Sequence, residues 1–236
     1  YTGTDAAVPG SKGNWIALAL IEKKLRLFID DNTTKTNLDV PNADAMMVEG
    51  TWNHIVGIRD LAQDSLFLFI NGKKAGALED NTELDISSGP LPWVIGGGGK
   101  QNAYFDGMLD EVSLYDYALT PTQVNDLYRS FIPVPDRVVA YWTLDGDATD
   151  ELGTSDGTLK NGDASLYVPG HYGGAIDLSE GADTTCIVVP SNPTNDFDST
   201  KSFTMSVLIN VPDFASNREI LFKGYTSTDA SVPGSK

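Results

Sequence analysis

Short runs in which apolar residues are continuous or alternate with polar ones recur along most of the chain, and Gly, Asn, Asp and Pro residues separate them at short intervals. A strand with one buried face needs an apolar residue at every second position, so this pattern is typical of an antiparallel β-sandwich. We therefore predict an all-β fold. The runs place strands at residues 15–20, 25–29, 54–58, 65–70, 93–95, 112–115, 140–144, 186–189, 203–209 and 219–222.

Two local patterns predict particular connections. Asn71-Gly72 separates the run LFLFI from KKAGAL, and both residues tolerate the positive φ that a tight hairpin turn requires. Thr120 is a suitable helix N-cap, Pro121 fits the first helical position, and apolar residues follow at helical spacing. This second pattern predicts one short helix near residues 121–129.

The chain divides into two segments. Residues 132–137, with the sequence IPVPDR, contain two prolines and predict an extended linker. We call residues 1–131 the first segment and residues 138–236 the second segment. The first segment ends like the end of a domain and the second begins like the start of one, so together we expect them to make one domain equivalent.

The two ends of the chain repeat each other. Residues 1–12 read YTGTDAAVPGSK and residues 225–236 read YTSTDASVPGSK, a difference at only two positions. So close a match at a long separation indicates tandem repeats, in which case the chain holds one repeat period and a short overlap. A permuted chain with a duplicated joint is the alternative. Because both copies cannot occupy one place, we expect one to be displaced, disordered or exchanged with a neighbour.

The composition of the chain limits the classes of binding partner to be expected. The net charge of −17 and the pI near 4.2 disfavour nucleic acid and anionic membranes, whose binding begins with Lys and Arg. No apolar run approaches the roughly 20 residues of a membrane span, so we expect no membrane insertion. Cys186 is the only cysteine and is interpreted as a small buried hydrophobe, while His54 is expected to pack on a strand. A secreted or cell-surface location in a bacterium fits this composition.

Several longer motifs run through both segments. The first segment contains a Trp-x-His strand, an INGK hairpin, an IGG strand and a DEV strand followed by a short helix. The second contains an A-Y-W-x-L-D strand, glycine-rich turns and an F-T-x-S-V strand. They read TWNHIVGIRD (51–60), LFINGKKAG (68–76), LPWVIGGG (91–98), YFDGMLDEVSLYDYALTPTQVNDLY (104–128), AYWTLDG (140–146), DELGTSDG (150–157), GHYGGAIDL (170–178), SFTMSVLI (202–209) and EILFKG (219–224).

As a set, these motifs resemble the laminin-G-like family of concanavalin A-like modules, with the late block of the family preceding the early block. The resemblance implies a jelly-roll sandwich. Because half of such a sandwich would expose unpaired strand edges, the segments must pair, either within one chain or between two chains.

The resemblance also implies a calcium ion where the first and last strands of the family lie side by side. Carried over to this sequence, its ligands are Asp110 of the DEV strand and Asp145 after the early strand, with Glu111 and Asp147 as weaker additions. Calcium binds six to eight oxygen ligands from carboxylates and carbonyls, which loops and strand ends can supply. Strand-end and turn-capping roles are the alternative for these carboxylates.

Some glycosidases share this sandwich, and they carry an E-x-D-x-(x)-E run on one strand. Here Glu83 and Asp85 supply the first two carboxyl groups, which on a strand would lie on one face. Ser87 and Ser88 stand where the acid would be needed, so no group is available to protonate the leaving group. We therefore expect no enzyme activity.

Glycan binding needs exposed aromatic rings that stack on sugar faces, with polar residues beside them. The candidates are Tyr104, Tyr172 and Trp15, with Asn102 and Asn32 as polar contacts. Core packing or scattered exposure is the alternative for each ring.

Together, these observations indicate a non-catalytic adhesion module of a large tandem-repeat protein, stabilised by calcium and contacting a glycan or an extracellular protein. Two alternatives remain open. One is a structural repeat that self-associates through exchanged half-domains, and the other is a carbohydrate-binding appendage of a glycoside hydrolase.

Overall fold

The computed structural model describes residues 14–97, 103–130, 133, 137–182, 184–214 and 217–224. Fifteen strands and one α-helix are formed by these residues. They are β1 (Asn14–Ile21), β2 (Lys24–Asp31), β3 (Lys35–Val40), β4 (Trp52–Asp60), β5 (Ser65–Ile70), β6 (Lys73–Glu79), β7 (Trp93–Ile95), β8 (Met108–Tyr115), α1 (Pro121–Ser130), β9 (Val138–Trp142), β10 (Thr158–Lys160), β11 (Tyr167–Pro169), β12 (Gly174–Asp177), β13 (Cys186–Val189), β14 (Phe203–Asn210) and β15 (Arg218–Gly224).

The strands form two antiparallel sheets packed as a sandwich, which confirms the predicted fold class. One sheet has seven strands in the order β10-β13-β7-β15-β1-β2-β3. The other has eight, in the order β11-β12-β8-β14-β4-β5-β6 with β9 paired to β8. Both sheets mix strands of the two segments: β15 separates β7 from β1, and β14 separates β8 from β4. Neither segment alone therefore forms either sheet completely.

The core lies between the sheets and follows the alternation of the sequence. Ile16, Leu18 and Leu20 of β1 face it and are fully buried, as are the large side chains of Trp93 and Trp142. Burial of an aliphatic or aromatic side chain of this size contributes about 1.5–3 kcal/mol. The alternating positions thus supply the main force that holds the sheets together.

The local predictions for the hairpin and the helix are confirmed. Asn71 and Gly72 have φ values of 50° and 74°, and the strands on either side of them pair. Helix α1 begins at Pro121, where the Thr120 Oγ1 accepts from the Gln123 amide while the Gln123 side chain accepts from the Thr120 amide. The helix covers a second apolar cluster, formed by Val56, Ile58, Phe69, Tyr115, Leu119, Val124 and Leu127. Within the described residues, no helix is both long and apolar enough to cross a membrane.

The remaining expectations concern residues 83–88, two buried side chains and the segments that the structure does not describe. Residues 83–88 belong to the loop between β6 and β7 and form no strand, so Glu83 and Asp85 do not share the strand face that the glycosidase alternative requires. His54 and Cys186 are buried, as expected. Both copies of the repeated segment, Asn102 and most of the predicted linker lie outside the described residues.

Candidate functional site

Strand β8 carries two adjacent carboxylates at an irregularity in its pairing. Opposite β14, the register shifts between Ser206 and Leu208, and Glu111 has a φ of 53°. Such a bulge re-aims the side chains of the residues beside it. Asp110 is completely buried and Glu111 is nearly so.

The glycine-rich loop 170–174 closes over Asp110. The amides of His171 and Tyr172 donate to Asp110 Oδ2 at 2.8 and 3.1 Å. A side chain on Gly170 would collide with the Gly174 backbone, which explains why the sequence has glycine there. The other carboxylate oxygen, Asp110 Oδ1, is buried and has no hydrogen-bond partner among the described residues.

Asp145 reaches the same loop from the opposite side. It follows β9, directly after Leu144, which is buried and has a φ of 60°. Its carboxylate accepts a hydrogen bond from the Gly174 amide. A side chain on Gly173 would overlap that carboxylate. Asp110, Glu111 and Asp145, which we call the acidic group, are thus brought together by β8, the turn after β9 and loop 170–174.

The electrostatics of the acidic group favour a cation. Burial raises the pKa of Asp110 to about 6, against the two loop amides, and the negative charge of Asp145 adds to the rise. Burial also raises the pKa of Glu111 to about 7, with the charges of Asp110 and Asp145 adding and the Tyr141 hydroxyl opposing. A divalent cation would reverse both effects because it favours the ionised carboxylates.

The side chains alone do not complete a metal site. Within the parts of the chain that the structure describes, no group of three or more His, Cys, Asp or Glu residues is arranged to hold a metal ion. Asp147 is exposed and caps its own turn, accepting from the Thr149 amide at 2.8 Å. Calcium binding here would therefore require backbone carbonyl oxygens, which calcium accepts readily. The buried, unpartnered Asp110 Oδ1 is the oxygen best suited to begin such a site.

An aromatic surface lies beside the acidic group. Tyr172 is 41% exposed, and its ring packs edge-on against His171 at a centroid distance of 4.9 Å. The half-buried Trp52 ring lies 6.2 Å from the His171 ring. Trp52 was not predicted for this surface, because it is far from Tyr172 in sequence and approaches it only through the tertiary fold. His171 directly precedes Tyr172 but was not singled out as a binding residue.

The remaining described aromatic candidates lie in the seven-stranded sheet or pack against it. Trp15 is half-buried and packs edge-on against Phe28 and Phe222. Tyr104 is half-buried and packs on a cluster of Val94, Cys186 and Val188. The predicted aromatic platforms therefore occupy different surfaces, and only Tyr172 adjoins the acidic group.

Comparison with known protein families agrees with the sandwich fold. The laminin-G-like family model of the concanavalin A-like lectin/glucanases superfamily matches residues 1–125. The chain belongs to this superfamily. Its laminin-G-like domains are generally non-catalytic binding modules, typically extracellular, and they often bind carbohydrate or protein. No curated protein sequence matches the chain.

Proposed function

We propose that this chain is an extracellular adhesion module of a large bacterial repeat protein, that it binds a glycan or protein without catalysis, and that calcium stabilises it. One observation carries the calcium part of the proposal. Asp110 is completely buried, yet Oδ1 has no hydrogen-bond partner among the described residues, and a second carboxylate, Asp145, lies nearby. Leaving such a carboxylate oxygen unsatisfied is costly unless a cation or water binds it.

Calcium would act on binding through the loop that carries Tyr172. Asp110 and Asp145 accept hydrogen bonds from three amides of loop 170–174. A cation between these carboxylates would hold them ionised and so fix the loop. Asp110 and Asp145 are the residues proposed to hold it, with Glu111 beside them.

Non-catalytic function is supported by the placement of the only glycosidase-like carboxyl groups noted in the sequence. Glu83 and Asp85 lie in a loop, and Ser87 and Ser88 follow where an acid would be required. Retaining chemistry needs two carboxyl groups held about 5 Å apart across the scissile bond. A loop-borne pair without an acid partner does not supply that arrangement.

The test measures melting temperature and ligand binding in calcium and in chelator. At a calcium concentration 100-fold above Kd, the melting temperature should rise by about 5–10 °C. Asp110→Asn should abolish the rise, while Asp163→Asn, at an exposed turn, should retain it. Binding to immobilised glycans and matrix proteins should weaken in chelator and in Asp110→Asn. A calcium response that survives in Asp110→Asn would contradict the assignment.

Self-association is the second candidate, and the interleaved topology favours it. Each sheet is completed only when strands of both segments combine, with β15 between β7 and β1. The first segment of one chain can therefore complete the second segment of another. Light scattering over a wide concentration range tests this candidate: exchange predicts slowly interconverting dimers or longer assemblies, and a monomer at every concentration excludes it.

A further inference from the structure

A lysine of the seven-stranded sheet meets an aspartate of a neighbouring loop in apolar surroundings. Lys223 belongs to β15 and is completely buried. Asp196 lies in the loop 190–202 between β13 and β14, and its side chain is 20% exposed. The fully buried Trp93 ring lies 5.9 Å from Lys223 Nζ, and the fully buried Phe197 directly follows Asp196. This pair lies apart from the acidic group, which is built on β8 of the other sheet.

Two hydrogen bonds orient the Lys223 side chain. Its Nζ donates to the Leu91 carbonyl at 2.8 Å and to Ser191 Oγ at 2.9 Å. A lysine ammonium group has three donors, so one remains for Asp196, whose Oδ1 lies 3.5 Å away. Asp196 Oδ1 is buried and accepts no hydrogen bond within the described residues. The two groups are therefore in contact, yet an ion pair alone leaves this oxygen poorly satisfied.

The Asp196 carboxyl group is held in place by three hydrogen bonds. Ser87 Oγ donates to its Oδ2 at 2.7 Å. The Lys201 ammonium group donates to the backbone carbonyl of Asp196 at 3.0 Å, and the Trp93 indole donates to the carbonyl of the preceding Asn195 at 2.7 Å. Two groups that the fold fixes in contact react far faster than the same groups free in solution, because no further entropy is lost in bringing them together.

Burial favours the neutral form of Lys223, which is the reactive one. It lowers the pKa of Lys223 to about 8, although the charge of Asp196 opposes the shift. Transfer of a proton from the ammonium group to Asp196 Oδ1 therefore costs less here than in water, since an apolar environment disfavours separated charges. The transfer places a neutral amine, the nucleophilic form of lysine, beside a carboxylic acid.

We propose that Lys223 and Asp196 join spontaneously in an intramolecular amide bond. Lys223 Nζ attacks Cγ of the protonated Asp196, the bond between Cγ and Oδ1 breaks, and Oδ1 leaves as water with a second proton from the amine. One ammonium and one carboxylate thereby become one amide and one water, without an oxidant or other co-reactant. The Ser87 hydroxyl stabilises the negative charge that develops on Oδ2 during the attack. The exposed part of the Asp196 side chain gives the water a path to solvent.

The amide bond fastens loop 190–202 to β15 and encloses residues 197–222, which include all of β14 and most of β15. These residues cannot extend when the two ends of the chain are pulled apart. A cross-link of this kind also restricts the unfolded chain and so raises stability. This covalent modification goes beyond the binding function proposed above and does not depend on it.

Mass spectrometry of the whole chain under denaturing conditions tests the proposal. The folded chain, once denatured, should be lighter than its sequence by the mass of one water. After trypsin digestion, one branched peptide should join residues 161–201 to residues 219–236, because trypsin does not cleave after an acylated lysine. Lys223→Arg keeps the positive charge but cannot form the amide, so it should restore the full mass. The matched control Lys35→Arg alters a lysine that is 3.1 Å from Asp30 but 37% exposed, and it should keep the loss of water.

The full sequence mass in the native chain, after prolonged incubation at neutral pH, would show that Lys223 and Asp196 form only an ion pair, and the proposal would be wrong. A loss of water without the branched peptide would also overturn it, because dehydration at an Asp-Gly bond such as Asp156-Gly157 leaves linear peptides. So would a loss that persists in Lys223→Arg. The mass and the peptide map of the native chain decide the question even if Lys223→Arg does not fold. Neither measurement uses calcium or a binding partner, so failure here is distinguishable from failure of the proposed function.

Discussion

Two of the ten non-glycine residues with positive φ in the described part of the chain lie in the acidic group or directly beside it. Glu111 and Leu144 both have positive φ, at 53° and 60°, a region that non-glycine residues rarely adopt. Each lies next to a carboxylate of the group, Asp110 or Asp145. Such strain costs on the order of 1–3 kcal/mol per residue and persists only where the surroundings enforce it. The backbone conformation that brings these carboxylates together therefore lowers the stability of the fold.

Gly173 provides a test of this close packing. Gly173→Ala should destabilise the chain by more than the backbone penalty of about 1–3 kcal/mol, because its φ is 60° and the added Cβ would overlap the Asp145 carboxylate. Urea unfolding measures the loss. Gly153→Ala is the matched control, since Gly153 has a φ of 71° with nothing within 4 Å of an added Cβ. Equal losses in the two variants would show that contact with Asp145 is unimportant.

The burial of His54 leads to a prediction of how acid affects the stability of the fold. Burial lowers its pKa to about 3, and its Nε2 lies 2.8 Å from Ser206 Oγ. The folded pKa is below the unfolded value, so the stability from neutral His54 is present above pH 6.5 and is lost as the pH falls towards 3. This loss is at most about 1.4 kcal/mol per pH unit. Urea unfolding between pH 6.5 and 4 should show a steeper loss for the native chain than for His54→Gln; parallel curves would contradict the prediction.

Among the elements, those encoded by local patterns were predictable and those defined by tertiary contacts were not. The Asn71-Gly72 hairpin and helix α1 depend on turn and capping residues within a few positions, so sequence alone located them. Strand β3 has the sequence KTNLDV, in which few residues are apolar, and it was missed. The edge strands β10 and β11 have three residues each, too few for a periodic pattern.

The candidate site was predictable to a similar extent. Asp110 and Asp145 do approach a common loop, but their pairing was inferred from a family resemblance and not from spacing. Trp15 packs in a different sheet from Tyr172 because strand order, which local sequence does not reveal, decides which surface a ring occupies. The hydrogen bonds from the Glu83 and Leu84 amides to Asp31 Oδ2 were missed for the same reason, because these residues meet only when β2 and the loop after β6 are packed.

The N-terminal cap of helix α1 leads to a prediction about the stability of a single element. Thr120→Ala removes the side-chain acceptor for the Gln123 amide and should cost about 0.5–2 kcal/mol of unfolding free energy. Thermal or urea unfolding measures this cost. Thr122 is the second residue of the helix. Thr122→Ala should leave the unfolding free energy unchanged or raise it slightly, since Ala has a higher helix propensity than Thr. A Thr120→Ala variant as stable as Thr122→Ala would show that the capping bond contributes nothing.

For the whole molecule, the net charge of −17 means that the carboxylates repel one another within one fold. In the acidic group, burial adds to this repulsion, because Asp110 and Glu111 are both buried and both feel the negative charge of Asp145. Cation binding at that point would relieve a local cost and would also reduce the total charge. The proposed stabilisation of the sandwich by calcium is therefore an electrostatic effect, which depends on the charge of these carboxylates.

This link predicts the pH dependence of calcium stabilisation. The folded pKa values of about 6 for Asp110 and about 7 for Glu111 lie above their ordinary values of 3.8 and 4.5. In chelator, their contribution to stability is therefore complete below about pH 4 and is lost as the pH rises through 6 to 7. Because His54 acts in the opposite direction only below pH 6.5, the melting temperature in chelator should fall between pH 6.5 and 8.

Calcium should remove most of that fall, because it binds the ionised carboxylates, so the calcium-induced rise in melting temperature should be larger at pH 8 than at pH 6. Scanning fluorimetry at both pH values, with and without calcium, measures the difference. The Asp110→Asn, Glu111→Gln double variant should show neither the fall in chelator nor the calcium response. If the calcium response is equal at the two pH values in the native chain, protonation of the acidic group does not compete with the ion and the proposed link is wrong.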